Sequence, residues 1–212
     1  ADIGCDHAFV SMYLIKSNKA DKVIAMDVKK GPLNIAKENI AGCSMDKLIE
    51  TRLSYGFDNL SVGEVDCAII AGMGGELIKK KKKRGSNHTD NGIHLVLQPQ
   101  SEPWKVREYL YNIGYEIIAE EMLIEEAKYY SIIKAVPAIA KIDEYSDVEL
   151  RYGRCLLNSR HTILKSYIEL NRRKNIELFN QLEHIHTEKS CQRRDLLKEE
   201  ILFDEEALKI FE

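Results

Sequence analysis

Two hydrophobic rhythms alternate along the first 140 residues of this chain. Short, mostly apolar runs at residues 22–27, 48–53, 65–71 and 93–97 have the length and composition of buried strands. Between them, apolar residues at helical spacing predict helices over 8–15, 33–41 and 104–113, and a short helix is expected over 76–83 after the glycine turn. Pro32 stands at the first turn of the second helix, and Gly114 stands where the last one ends. The run 65–71 is strongly apolar and predicts a central strand buried on both faces. Two further strands, 115–122 and 129–136, flank the acidic link Glu125-Glu126 and read as a hairpin. This order predicts an α/β fold: a parallel, doubly wound sheet finished by an antiparallel edge strand.

The rhythm changes after Pro137. From about Asp143 onward there is no strand pattern. A long helix is expected over 159–186, with Ile163, Tyr167, Leu170, Leu178, Leu182 and Ile185 near heptad spacing. A second is expected over 191–211, with Leu197, Ile201 and Leu208 on its apolar face. Neither contains proline or glycine, so together they predict a coiled-coil-like α-helical hairpin serving as a lever or dimerisation element. The expected domains are therefore 1–140 and 141–212.

At 212 residues and 44% hydrophobic, the chain is long enough for one good core plus an appendage. It has no apolar run of membrane-spanning length, and no membrane association is expected. The chain opens inside a strand, so residues are expected to precede Ala1. Five scattered cysteines without a Cys-x-x-Cys pair suit a reduced, cytoplasmic protein, with neither a disulfide framework nor a metal site. A monomer is the favoured state. The net charge of −3 is unevenly spread. Residues 151–174 hold seven bases against Glu169 alone, whereas 199–212 hold six acids against Lys209 alone. Such a local basic field suits phosphate binding, although solvated helix surface has the same composition.

The candidate chemistry gathers at strand ends. Asp2-Ile3-Gly4-Cys5-Asp6-His7 is a strand end, a tight turn and a helix start, the corner that cradles nucleotides in open α/β sheets. Asp2 serves either that ligand or as a cap for the helix. Asp27 closes the second strand, where an acid holds ribose hydroxyls. No Gly-x-Gly-x-x-Gly is present, and an anionic Asp6 at the helix start would repel a pyrophosphate. It would tolerate the amino group or sulfonium of S-adenosylmethionine, so the turn favours a methyl donor over a dinucleotide. Gly72-Met73-Gly74-Gly75 ends the most apolar strand and allows close approach of a flat ligand, or simply a tight turn. Lys79 to Arg84 is six consecutive bases, either a grip on a polyanion or a solvated helix end. Among the histidines, His7 alone falls near this rim, as a proton carrier or a helix-terminal hydrogen-bonding group. Gln98, Pro99 and Gln100 end the fifth strand at the same rim, where they either touch substrate or stop the strand.

Asp2-Ile3-Gly4-Cys5-Asp6-His7-Ala8, Gly31-Pro32, Ala71-Gly72-Met73-Gly74-Gly75-Glu76-Leu77-Ile78, Leu97-Gln98-Pro99 and Gly114-Tyr115 together resemble the bacterial TrmK family. These are tRNA (adenine-N1)-methyltransferases acting at adenine 22, and the resemblance spans the whole chain. It implies a class I, Rossmann-like methyltransferase fold with S-adenosyl-L-methionine as cofactor and tRNA as partner. Carried onto this chain, Asp2, Gly4, Asp6 and His7 line the methionine end. Asp27 takes the ribose hydroxyls with Val28 nearby, and Ser54 and Gly56 edge the adenine. Ala71, Gly72, Met73 and Gly74 floor the site, with Asp6, His7, Gly72 and Met73 nearest the chemistry. Asp27 and Tyr55 stand where the family often carries a Glu and an acid. The expected RNA-facing residues are Lys79, Lys80, Arg84, Arg154, Arg160, Arg172, Arg173 and Lys174, with Arg151 and Lys165 in the same basic segment. A methyltransferase for another RNA or a small molecule, or a non-catalytic nucleotide-binding module, is the alternative.

Overall fold

The computed structural model describes residues 1–75, 78, 92–185 and 187–212. The expected helix 76–83, with Lys79, Lys80 and Arg84, therefore lies outside the described residues except at Ile78, as do His88 and His186. The first elements are β1 (Asp2–Ile3), α1 (Phe9–Lys16), β2 (Val23–Asp27), α2 (Lys30–Gly42) and β3 (Ile49–Leu53). They are followed by β4 (Cys67–Gly74), β5 (His94–Ser101), α3 (Pro103–Asn112), β6 (Tyr115–Glu125) and β7 (Lys128–Pro137). The helical segment comprises α4 (Asp147–Tyr152), α5 (Arg154–Asn158), α6 (Thr162–Leu182) and α7 (Glu188–Lys209).

The seven strands form one sheet in the order β3-β2-β1-β4-β5-β7-β6. β1 to β5 run parallel, and β7 is antiparallel to β5. The antiparallel strand is thus one in from the edge rather than at it, because β6 completes the hairpin outside β7. The hairpin turns on Glu126 and Ala127, both left-handed (φ 48° and 60°), as a two-residue turn between twisted strands requires. On one face, Met12 and Ile15 of α1 and Leu33, Ala36 and Ile40 of α2 bury against Val23, Ala25 and Ile49 of the sheet. Those helix positions recur at three- to four-residue spacing, which is how the sequence specifies the buried face.

Two strands outrun their sequence limits. β4 continues through the glycines to Gly74, and β5 runs past Gln98 and Pro99 to Ser101. The ladder absorbs the disruption in a bulge. Ala71 pairs with Gln98 and Met73 pairs with Pro99, which leaves Gly72 as an extra residue.

The chain divides into two units, Ala1–Ala119 with Ser131–Ile142, and Glu120–Tyr130 with Asp143–Glu212. The hairpin tip groups with the helices, a feature that periodicity does not reveal. Its Met122 is buried with Val148, Tyr152, Leu156, Leu157, Leu164, Ile168 and Ala207. The long helix expected over 159–186 is interrupted at its start. α5 ends at Asn158, Arg160 is left-handed (φ 49°), and α6 begins only at Thr162. The fully buried residues of α6 are Leu164 and Ile168; of the expected seam, Ile163 and Tyr167 pack against this core, whereas Leu178 and Ile185 are exposed. α4 starts on a capping box in which Ser146 and Glu149 satisfy each other's backbone N–H groups. Thr187 caps α7 by accepting from the Ser190 N–H, which starts that helix three residues earlier than expected.

Candidate active site

Parallel register brings the predicted residues to one rim. Ile3 pairs with Met26, Asp27 with Leu53, and Asp2 with Ile69. Gly4, Asp27, Ser54 and Ala71 therefore stand level at the carboxyl ends of four adjacent strands, with strands spaced about 4.8 Å apart. β1 is where the sheet order reverses, since β2 lies on one side of it and β4 on the other. The crevice outside such a reversal is the ligand site of open α/β sheets.

The first turn is bound tightly to its neighbours. Gly4 (φ 81°), Asp6 (φ 48°) and Ala8 (φ 61°) are all left-handed, so the chain doubles back before α1. The Gly4 and Cys5 N–H groups both donate to the Met26 carbonyl, at 2.7 and 2.9 Å. The Asn39 side chain donates to the His7 carbonyl at 3.0 Å. Ala8 occupies the N-cap of α1 and has no side chain able to cap it. Asp2 lies buried beneath the turn and accepts from Ser11 twice, a 2.6 Å hydrogen bond from its hydroxyl and another from its backbone N–H in the first turn of α1, so it caps that turn as the sequence allowed. Burial drives its pKa up, and the Ser11 hydroxyl partly offsets that shift. Burial likewise pushes the neighbouring Cys5 thiol up to about 12, which keeps it protonated and inert. Asp6 and His7 face outward, 3.6 Å apart, a separation and exposure that contribute little stability. The His7 ring stacks on Phe9, with centroids 5.7 Å apart and planes within 5°.

Asp27 ends β2 and accepts the Lys29 N–H at 2.8 Å through one carboxylate oxygen, with Val28 exposed beside it. Ser54 is buried and shapes the third loop. Its N–H donates to the Asp27 carbonyl at 2.8 Å, and its hydroxyl donates to the Gly56 carbonyl and accepts from the Asn59 N–H, both at 3.1 Å. Arg52 braces the same loop against Glu64 (2.8 Å), Glu50 (2.7 Å) and the Asn59 carbonyl (2.7 Å). The hydrogen bonds Glu64 accepts, Arg52's first, bring its carboxyl down to about 2. Ser11, Asn39, Arg52 and Glu64 were invisible as site residues in the sequence. Each acts across 9 to 32 positions or within an irregular loop, and no local pattern marks such pairings.

On the other side of β1, Gly72 (φ 74°) donates its N–H to the Gln98 side-chain oxygen at 2.9 Å. A side chain at Gly75 would meet the Glu102 carbonyl at 2.9 Å, so that position is glycine for want of space. Met73 and Gly74 continue β4 along the same rim.

The predicted RNA-facing residues of the helical unit divide sharply. Arg154, expected to face RNA, is spent inside the unit. It donates to Glu149 and to the Asp143 and Glu144 carbonyls, and it stacks on Tyr145 with 3.7 Å between guanidinium and ring centre. Arg172 pairs with Glu205 at 2.7 Å, and Lys165 reaches Glu169 at 3.9 Å. Arg151 lies 3.8 Å from Glu200 and over the Phe203 ring. Arg160, Arg173 and Lys174 are exposed and carry no side-chain ion pair among the described residues.

A reversed-order parallel sheet, an acid at the end of β2 and a left-handed turn without a pyrophosphate motif define a class I, Rossmann-like methyltransferase fold with a helical appendage. Comparisons with known proteins agree. The family model described as tRNA (adenine(22)-N(1))-methyltransferase matches residues 1–206, and the chain belongs to this family, TrmK. The tRNA (adenine(22)-N(1))-methyltransferase of Bacillus subtilis is 35% identical over 135 residues, which cover 64% of this chain and 57% of that enzyme. The crystal structure of that organism's TrmK superposes with a TM-score of 0.85 at 26% identity, covering 100% of this chain and 91% of the other. A Streptococcus pneumoniae relative solved in complex with S-adenosyl-L-methionine gives 0.84 at 26% identity, covering 98% and 90%. Among the described residues no helix is long and apolar enough to cross a membrane, and no cluster of three metal-ligating side chains occurs.

Proposed function

We propose that this chain transfers a methyl group from S-adenosyl-L-methionine to N1 of adenine 22 in tRNA. The observation that carries the reading is the single rim that unites the left-handed turn, Asp27, the Ser54 loop and the Gly72 bulge, in a member of this family. The donor set fits the cofactor. The first turn of α1 stands at this rim with backbone N–H groups toward it, of which Asp2 takes Ser11's. The exposed Asp6 suits an amino group or sulfonium, and Asp27 has a second oxygen for ribose hydroxyls. Ser54 and Gly56 form the loop beside it, at the end assigned to the adenine.

When bound, S-adenosyl-L-methionine supplies an electrophilic methyl group on a cationic sulfur. Adenine N1 carries its own lone pair and loses no proton before attack, so the site needs no strong general base. This chain's task is alignment and charge stabilisation. The Gly4 turn fixes one end of the line, and the glycine bulge of β4 provides a flat, side-chain-poor floor at the other. His7 and Asp6 sit at the rim as positioning groups. Arg160, Arg173 and Lys174 of the helical unit are available for the tRNA backbone. The test is incubation of the full-length protein with unmodified tRNA transcripts and methyl donor, followed by nucleoside mass analysis. The expected product is 1-methyladenosine, lost when adenine 22 is replaced. Methylation at another position would retain the cofactor and overturn the substrate, and cofactor binding without any product would favour a binding module.

A further inference from the structure

Around the bulge in β4, among the described residues, a side chain takes the Gly72 N–H, and the β1 donor in line with the Ala71 carbonyl is diverted elsewhere. Up to Ala71 the strand is regular, and alternate residues face alternate neighbours. The Ile69 N–H donates to Ala1 of the β1 edge, so Ala71, two residues on, also turns its carbonyl toward β1. The β1 group in line to donate to that carbonyl is the Cys5 N–H, which goes to Met26 instead. On the other side, Gly72 is the extra residue of the bulge, between the pairs Ala71 with Gln98 and Met73 with Pro99. Its N–H is taken at 2.9 Å by the Gln98 side-chain oxygen. The Ala71–Gly72 peptide is planar and trans, so its N–H and C=O point to opposite sides. Holding the N–H toward β5 therefore holds the Ala71 carbonyl toward β1 and the Gly4 turn. Gly72 itself is left-handed, outside the regular strand conformation, and the Gln98 side chain takes the N–H of this peptide in place of a regular ladder bond.

An acceptor fixed at that rim selects among bases. Adenine carries an amino group beside N1, where guanine carries a carbonyl oxygen. Methylation at N1 also moves positive charge onto the ring and its amino nitrogen, where a carbonyl dipole stabilises it. Resting on the functional reading above, we propose that the Ala71 carbonyl accepts a hydrogen bond from the exocyclic amino group of the target adenine, with Gln98 as the positioning residue that aims it. The Gln98 amide nitrogen donates to the Pro99 carbonyl at 3.2 Å, so the side chain is anchored at both ends.

The experiment compares wild type, Gln98→Met and Gln98→Glu on full-length tRNA carrying either adenine or purine, which lacks the amino group, at position 22. Methionine matches glutamine in length and removes the acceptor, whereas glutamate keeps one. With adenine, Gln98→Met is expected to lower kcat about 10–100-fold, the scale of a small misplacement at a reacting centre. Methyl-donor affinity by calorimetry and the melting temperature should stay close to wild type. Gln98→Glu keeps the oxygen that accepts from Gly72 but loses the amide that donates to Pro99, and should recover part of the rate. With purine the wild type should slow, and Gln98→Met should add little further loss, because the bond it serves is already gone. Full activity in Gln98→Met, equal loss in Gln98→Glu, or independent and additive losses on purine would each overturn the proposal while the wild type remains active. A wild type that methylates no adenine would overturn the functional reading and this one together.

Discussion

Asp2 is a carboxylate held almost wholly out of water, and the Ser11 hydroxyl donates to it. Burial raises its folded-state pKa, so the folded chain holds this proton more tightly than the unfolded chain does. Its contribution to stability is therefore fully present below the ordinary carboxylate value of 3.8 and is lost as pH rises through the raised folded value. Above that value the ionised group works against the fold that it serves. Asp2→Asn keeps an acceptor for Ser11 and removes the charge. It is expected to raise the melting temperature at pH 7, at about 2–4 °C per kcal/mol recovered, and to lose that advantage toward pH 4. Scanning calorimetry at both values checks this, and an unchanged melting point at pH 7 would show that the buried charge costs nothing. At this scale the sequence marked the rim positions well, because strand-end acids and glycines are local signals. It did not mark their supports. Asp2 reads from its neighbours as a ligand group or a cap, and it proves to be a buried acceptor from both the hydroxyl and the backbone N–H of Ser11, nine positions on in the first turn of α1.

Elements were legible where a period persisted and illegible where tertiary contacts overrode it. Proline and three glycines read as strand ends at 72–75 and 99, yet both strands continue because the bulge lets them pair past the irregularity. In the helical unit, heptad spacing pointed to Ile163 and Tyr167, which do pack on the core, and to Leu178 and Ile185, which are exposed; the fully buried positions are Leu164 and Ile168, where the hairpin tip's Met122 and α4 also pack. A polar lock sits in that core. The Tyr152 hydroxyl of α4 donates to Asp204 of α7, and the Asn175 amide of α6 donates to the same carboxylate at 3.3 Å. Burial and the adjacent carboxylate push the Tyr152 pKa well up, so the hydroxyl stays a donor. Tyr152→Phe should cost roughly 1–3 kcal/mol, the penalty of leaving a buried acceptor short of a donor. Adding Asp204→Leu to Tyr152→Phe should recover part of that loss, since removing both partners is less costly than removing one. Urea unfolding of the helical unit's signal measures both. Additive losses would mean that the two side chains act independently.

Across the whole molecule, the net charge of −3 conceals which bases are free to meet RNA. Composition treats Arg154, Arg172 and Arg173 alike, but only the last is without a side-chain ion pair among the described residues. Neutralising Arg160, Arg173 and Lys174 together should weaken tRNA binding. The slope of log K against log salt should flatten by roughly 0.7–0.9 for each phosphate that is no longer neutralised. Arg154→Ala should instead lower thermal stability and leave the salt slope in place. An unchanged slope in the triple variant would remove these residues from the RNA surface.

The sequence alone determined the alternation of strands and helices, the acid and glycine positions at strand ends, and the family resemblance, because these rest on backbone propensity and short-range spacing. Only the tertiary structure decided that Arg154 is a clasp, that residues 120–130 pack with the helices, and that Gln98 holds the Gly72 peptide. Those outcomes depend on which distant groups meet when unpaired backbone and charge must be satisfied, and a one-dimensional pattern carries no record of that pairing.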